Sequence, residues 1–229
     1  MKAYSQRMRV YFAEMFPIPQ HAALALLVYL AIAYFGRWLH GQNSSIVSWY
    51  TLLGVWSIFN LLLILRLMDE LKDEDIDRLL FPERPLPSGR VYAKDIRTTL
   101  AAAILLYVIA HVAARQAFWT ALVLLGYSGL MFKRFFAADL LRKNLLITLA
   151  THNPIVPGML THGFVIFAVE HGRAISGLRW SLIIPFIVML WFPLLAWEWA
   201  RKIRSPDEET AYVTYSRLFG YAVINVAPV

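Results

Sequence analysis

Trp49-Tyr-Thr-Leu-Leu-Gly-Val-Trp-Ser-Ile-Phe-Asn-Leu-Leu-Leu-Ile-Leu-Arg66-Leu-Met-Asp69-Glu-Leu-Lys-Asp73-Glu-Asp-Ile-Asp77 decides the fold, because it joins an uncharged run to a dense acidic one. As a helix, about 20 such apolar residues match the roughly 30 Å hydrocarbon core of a bilayer. Ionisable groups beside hydrocarbon are costly, so an acidic cluster at the mouth of a span is a functional-site hypothesis by default. Asp69, Asp73 and Asp77 are spaced i, i+4, i+8, which on a helix stacks the three carboxylates on nearly one face, about 6 Å apart per step. Like charges that close repel unless a cation sits among them, and a divalent metal is the natural candidate. Glu70 and Glu74 fall off that face and read as a solvated helix surface balanced by Lys72 and Arg78.

Outward from this stretch the pattern repeats. The 229 residues are 59% hydrophobic and only 16% charged, where a soluble domain carries about a quarter charged residues. Apolar runs at about 20–36, 47–66, 98–114, 117–132, 145–169 and 180–198 predict membrane-spanning helices, with a last apolar piece at 218–229. The predicted class is therefore an all-α membrane protein, a bundle of six to seven transmembrane helices forming one domain over 1–229. The final twelve residues are too few to cross a bilayer, so that run is expected to be half-length, completed by a partner, or continued past Val229. Residues 1–18, basic at Lys2, Arg7 and Arg9 and apolar at Val10, Tyr11, Phe12 and Phe16, read as an interfacial amphipathic segment. The first apolar run lacks a small-residue cleavage site and reads as a retained span. The absence of cysteine excludes disulfides, thiolate metal sites and cysteine nucleophiles.

Charge placement predicts topology. With the N-terminus in the cytoplasm, segments 1–19, 66–97, 133–144 and 199–217 hold 18 of the 22 Lys and Arg, leaving only Arg37, Arg115, Arg173 and Arg179 opposite. Such asymmetry is the positive-inside pattern. It accounts for the net charge of +7 without nucleic acid as a partner. The same topology puts Asp69–Asp77, a second acidic segment Glu198–Glu209 and the basic pair Lys133 and Arg134 on one face. Two carboxylate groups with nearby cations suit a metal-bound polyphosphate, since Mg²⁺ favours one or two carboxylates plus phosphate oxygens. The expected location is the bacterial inner membrane, with the active site towards the cytoplasm.

Pro82, Pro85 and Pro87 remove donors and restrict the residues before them, so Arg84-Pro-Leu-Pro-Ser-Gly89 is a turn and not a helix. Asp-x₃-Asp-x₃-Asp followed by Pro-Glu-Arg84-Pro-Leu-Pro-Ser-Gly89 resembles the first motif of the UbiA superfamily of intramembrane prenyltransferases. Glu198-Trp-Ala-Arg-Lys-Ile-Arg-Ser-Pro-Asp207 through Thr214-Tyr-Ser stands where that family has its second acidic motif, with Glu198 at a position usually Asp and Lys202 where another acid is common. Phe132-Lys133-Arg134 through Asn144-Leu-Leu is similar to its basic loop.

The resemblance implies Mg²⁺-dependent transfer of an isoprenyl group from an allylic isoprenyl diphosphate to an aromatic or other lipid-precursor acceptor, hydrophobic in character, with release of diphosphate and with membrane lipid as the surroundings. It implies Asp69, Asp73 and Glu198 as first metal ligands, with Asp77 and Asp207 next. Lys133, Arg134, Lys72 and Arg201 would neutralise the leaving group, while Arg66, Asn144, His152, Asn153 and Tyr215 would contact substrate. Asp207, Glu208 and Glu209 are alternative ligands of the second motif. His152 and Asn153 serve equally well as interhelical hydrogen-bonding residues, and His111 reads as isolated. Competing readings are a cyclase using the same ionisation without an acceptor, and a non-catalytic scaffold. A CDP-alcohol phosphotransferase is discounted because its Asp-Gly signature does not occur. A cation transporter should carry its acids near the bilayer midplane, whereas these cluster at the ends of spans.

Overall fold

Ser48 sets the start of the central helix: its hydroxyl accepts the N–H of Thr51 at 3.0 Å, satisfying one of the donors a helix leaves orphaned at its first turn. The structure is a computed structural model that describes residues 3–43, 45, 47–114, 116–200, 202–209 and 214–221, and all their regular secondary structure is helical. In chain order the α-helices are α1 (Tyr4–Glu14), α2 (Ile18–His40), α3 (Trp49–Lys72), α4 (Glu74–Leu80), α5 (Ala93–His111), α6 (Gln116–Phe132), α7 (Ala138–Lys143), α8 (Leu145–His152), α9 (Ile155–Glu170), α10 (Trp180–Ala200) and α11 (Tyr215–Phe219).

Among the described residues four helices are long and apolar enough to cross a membrane: α2, α3, α5 with its continuation to Ala114, and α10. α6 is apolar but only 17 residues long. The run 145–169, expected as one span, is two helices. α8 stops at His152 and α9 starts at Ile155, because Pro154 offers no N–H and disfavours a helical conformation in the residue before it. The end of the last apolar run, residues 222–229, lies outside the described residues, as do Lys2, Arg115 and Arg201.

Two compact units can be separated. The first comprises residues 1–133 and 158–178, the second 134–157 and 179–229. In the first, α3 is the most enclosed span, with 61% of its apolar stretch buried against 39% for α2 and 22% for α5. Small residues make the close approaches. A Cβ on Gly54 would lie 2.0 Å from the Tyr29 ring, and one on Gly163 2.7 Å from Ile32 Cδ1, so α2 packs on α3 and α9 where there is no side chain to hold them apart. Asn60 Nδ2 donates to Ala103 O at 3.0 Å, tying α3 to α5.

α1 is docked on the protein. Arg7, Met8, Tyr11 and Phe16 are buried, and Arg7 grips Asp95 at the start of α5 through Nε and Nη2 at 2.6 and 2.7 Å. A bidentate guanidinium–carboxylate pair is directional as well as strong, and it docks α1 on the protein. Within the second unit, Thr148 Oγ1 donates to Leu141 O at 2.7 Å, joining α7 to α8. α10 continues as a helix through Pro185 and Pro193.

Candidate active site

The acidic stretch does not form one uninterrupted helix. α3 ends at Lys72, and Asp73 (φ −105°, ψ 10°) serves both as its C-terminal flank and as the start of α4. Hydrogen bonding carries on across the joint: Asp73 N–H donates to Asp69 O at 2.9 Å, and Asp77 N–H to Asp73 O at 2.8 Å. The i+4 relation therefore survives while the environments diverge. Asp69 is half exposed and its Oδ1 accepts from Lys72 Nζ at 2.6 Å. Asp77 is buried and pairs with Arg84 at 2.8 Å. Glu70, taken as a solvated residue from its spacing, is buried and paired with Arg66. Glu74 binds Arg78 at 2.6 Å, as expected for a surface pair.

The proline loop supplies Arg84 to this arrangement. Ser88 N–H returns to Arg84 O at 3.0 Å, Gly89 N–H to Leu86 O at 3.1 Å and Val91 N–H to Pro85 O at 2.9 Å. Gly89 sits at φ +74°, a conformation glycine adopts without strain. Folded this way, the loop lays the Arg84 guanidinium over the Phe81 ring at 3.9 Å while it also holds Asp77. Arg90 anchors the loop to α1 through Glu14. The carboxylates are thus neutralised by Lys72, Arg84 and Arg66, and among the described residues no three His, Asp or Glu side chains converge as metal ligands. The hard oxygen donors themselves suit Mg²⁺, which needs only one or two carboxylates when phosphate oxygens complete its shell.

In the second unit, Glu198 pairs with Lys202 at 3.2 Å. The lysine that departs from the family pattern is therefore a built-in counter-ion for the acid before it. Lys202 O accepts from Tyr215 N–H at 2.9 Å, and Tyr215 is buried with its ring stacked on Trp199 at 4.5 Å. Glu209 accepts from Thr214 at 2.7 Å and from Ser216 at 2.6 Å. Those hydroxyl hydrogen bonds, Ser216 first, hold its carboxyl below the usual range. Glu209 is thereby committed to closing its own loop. Asp207 stands exposed in the short turn Pro206–Glu208.

Lys133, at the end of α6, is exposed, with its ammonium 5.6 Å from the Phe132 ring centre. Arg134, Phe135 and Phe136 follow with φ of 50°, 50° and 56°. Three consecutive bulky residues in the left-handed region are costly and persist only where surroundings enforce them. Asn144 is exposed at the start of α8. His152 Nδ1 lies 3.0 Å from Thr148 O and its ring meets Phe135 edge-on at 5.7 Å. Asn153 Oδ1 accepts from Trp191 Nε1, so this residue links α8 to α10, beside a cavity of about 220 Å³ lined by Leu146, Leu149, Ala150 and Pro154.

One cluster was invisible in the spacing. His111, read as isolated, is fully buried with Nε2 3.2 Å from His162 Nε2. His162 also reaches Ser57 Oγ at 3.0 Å and Thr120 Oγ1 at 2.7 Å, and Ser57 donates to Tyr107 OH at 3.2 Å. Four helices, α3, α5, α6 and α9, meet through this network, far from one another in sequence.

No family model and no curated protein matches the chain. A solved structure of digeranylgeranylglyceryl phosphate synthase in membranes does match, with a TM-score of 0.64 over 96% of this chain and 72% of that one, at 14% identity. The chain has the fold of that synthase. At 14% identity the likeness is one of fold.

Proposed function

We propose that the protein transfers an isoprenyl group from an allylic isoprenyl diphosphate to a hydrophobic acceptor in the membrane, releasing diphosphate in an Mg²⁺-dependent reaction. The observation that carries this reading is Asp69–Asp73–Asp77 at the end of the most enclosed span, beside a loop that delivers Arg84, in a fold shared with a prenyl-lipid synthase. A metal-bound diphosphate is the ligand that needs carboxylates and guanidinium groups side by side.

Asp69 and Asp73 would hold the metal, with Asp77, Glu198 and Asp207 as the further ligands. Bound Mg²⁺ supplies charge neutralisation for the diphosphate and for its departure. Lys72, which now rests on Asp69, would turn to phosphate once a cation takes that carboxylate. Lys133, Arg134 and Arg201 are assigned the same electrostatic role, and Arg66, Asn144, His152, Asn153 and Tyr215 are assigned to substrate contact. Cleavage of the allylic C–O bond sends the electron pair to diphosphate and leaves an allylic cation that must be kept from water. Attack by the acceptor then forms the new bond and releases its proton.

The test is incubation of purified protein in lipid with a panel of isoprenyl diphosphates, Mg²⁺ and candidate acceptors, with lipid-soluble products identified by mass. Diphosphate release that needs Mg²⁺ and disappears in folded Asp69→Ala and Asp73→Ala variants is expected. No release from any donor would overturn the reading, and product formation without an acceptor would turn it into a cyclase.

A further inference from the structure

Two of the arginines that charge placement leaves on the side away from the acids, Arg37 and Arg173, flank Glu170 at the ends of α2 and α9. The helices meet closely there because Gly36 has no side chain: a Cβ on it would lie 3.0 Å from the Phe167 ring. One residue further on, Arg37 is brought against Glu170, with side-chain exposures of 7% and 9%. Arg37 Nη2 donates to Glu170 Oε1 at 3.2 Å and to Ser45 O at 2.7 Å. The rest of both groups is unmatched. Arg37 Nε and Nη1, Glu170 Oε2 and the Tyr29 hydroxyl are buried and find no hydrogen-bond partner among the described residues. Tyr29 lies two turns back on α2, fully buried, and the charges that act on it are those of Glu170 and Arg37. His171 Nδ1 is 3.9 Å from Glu170 Oε2, too far for a hydrogen bond, and engages Phe167 O at 2.9 Å. Past Gly172, where φ is +59°, Arg173 adds a further buried and unpartnered nitrogen, Nε.

Native proteins seldom leave buried polar atoms unpaired, because each one is costly, so the set describes its guest. It offers guanidinium N–H groups and a phenol to acceptor oxygens, and one carboxylate oxygen to a donor. Two guanidinium charges exceed one carboxylate, which calls for an anion, and guanidinium groups match phosphate oxygens. We propose that this cluster binds the head of a phospholipid, with the phosphate on Arg37, Tyr29 and Arg173 and a head-group hydroxyl or ammonium donating to Glu170 Oε2. Basic pockets between spans are the usual receptors for such heads. Ser45, which Arg37 holds, stands just before α3, and the 24 residues of that helix run about 36 Å to the acids. A length beyond the roughly 30 Å hydrocarbon core puts the cluster in the head-group layer of the other leaflet. It is out of reach of a diphosphate at Asp69, so the proposal stands apart from the prenyl-transfer reading. Water also satisfies hydrogen bonds, but it brings no negative charge to two arginines and does not choose between lipids.

The experiment uses the whole protein in detergent, with phosphatidylglycerol, phosphatidylethanolamine, phosphatidylcholine or soluble glycerol phosphate added singly, and bound molecules counted by native mass spectrometry. Phosphatidylglycerol carries a donor hydroxyl and a net negative charge, whereas the choline head has neither. A single retained phosphatidylglycerol is expected, held about tenfold more tightly than phosphatidylcholine, with phosphatidylethanolamine between them. Tyr29→Phe removes only a hydroxyl and should weaken phosphatidylglycerol about fivefold with the circular dichroism unchanged. Glu170→Gln presents an amide in place of Oε2 and should bring phosphatidylethanolamine and phosphatidylcholine to about equal retention. Arg37→Gln combined with Glu170→Gln strands no charge and should lose the retained lipid, while Leu27→Ala, on the outward side of α2, should keep it. Equal retention of the three lipids by the wild type, or undiminished retention by the folded double variant, overturns the site. Displacement of the lipid by glycerol phosphate gives the cluster to a soluble phosphate and overturns the lipid assignment. No retained molecule of any kind leaves water as the guest and overturns it as well.

Discussion

Replacing Arg84 by alanine tests whether the proline loop or a metal holds Asp77. The pair is 2.8 Å apart, with side-chain exposures of 31% for Arg84 and 10% for Asp77. At that separation and an effective dielectric of about 20, the Coulomb attraction is about 6 kcal/mol, most of it offset by desolvation. Removing one partner of a buried pair costs about 3–5 kcal/mol because the other charge is left stranded. Water reaches Arg84 and shares that burden, so about 2 kcal/mol is expected here. For a chain of this size that corresponds to a fall of about 4–8 °C in the unfolding midpoint. The assay is thermal unfolding followed by tryptophan fluorescence in one fixed detergent. Adding Asp77→Asn removes the stranded charge, so the double variant should recover much of the loss while remaining inactive in diphosphate release. If Arg84→Ala unfolds within about 1 °C of wild type, the pair has no structural role. Asp77 is then available to a metal in the way its spacing suggested.

Three other expectations follow from packing and charge. Gly54→Ala puts a Cβ 2.0 Å from the Tyr29 ring; overpacking of that kind costs about 1–3 kcal/mol, and the lowered midpoint should be partly restored by adding Tyr29→Leu. His162→Leu leaves His111 Nε2 without its partner in the centre of four helices, costing about 1–3 kcal/mol for the unsatisfied group; an unchanged midpoint would show the network to be dispensable. The Glu209 loop should loosen in acid. Its carboxyl titrates lower in the folded protein than in the unfolded chain, so its contribution is complete above the unfolded value of about 4.3 and is lost as pH falls through the lower folded value. Hydrogen exchange at the amides of Ser216 and Arg217 should rise in that acidic window, and Glu209→Gln should abolish the pH dependence.

Features carried within a few turns of chain were legible in the sequence, and those made between distant helices were not. Asp69, Asp73 and Asp77 were read from spacing alone, and the proline turn at Arg84–Gly89 from local chemistry of the same kind. The break at Asp73 was not legible, because nothing in Glu-Leu-Lys-Asp-Glu-Asp opposes a helix and the joint shows only in the backbone angles. Glu70 looked solvated beside Lys72, yet it faces inward and takes Arg66. Arg7 looked interfacial because basic residues near a first span usually are; Asp95, 88 positions away, is what buries it. His111 and His162 are separated by 51 positions. No periodicity links them, so their meeting needed the packing of α5 against α9.

The acidic segments illustrate how the same charge pattern can mean two things. In the first segment Asp69 has a neighbour that can let go: Lys72 is an ammonium on a half-exposed carboxylate, the kind of partner that exchanges cheaply for a divalent ion. In Glu198–Glu209 the pairs are closed. Glu209 accepts the Thr214 hydroxyl, shared between its two carboxylate oxygens, and the Ser216 hydroxyl, and Ser216 in turn accepts the Arg204 N–H at 2.9 Å. Breaking that ring exposes buried Thr214 and Ser216 without a replacement partner. A metal therefore competes on easier terms at Asp69 and Asp73 than anywhere in the second motif, where Glu198 and exposed Asp207 are the acids left to answer it.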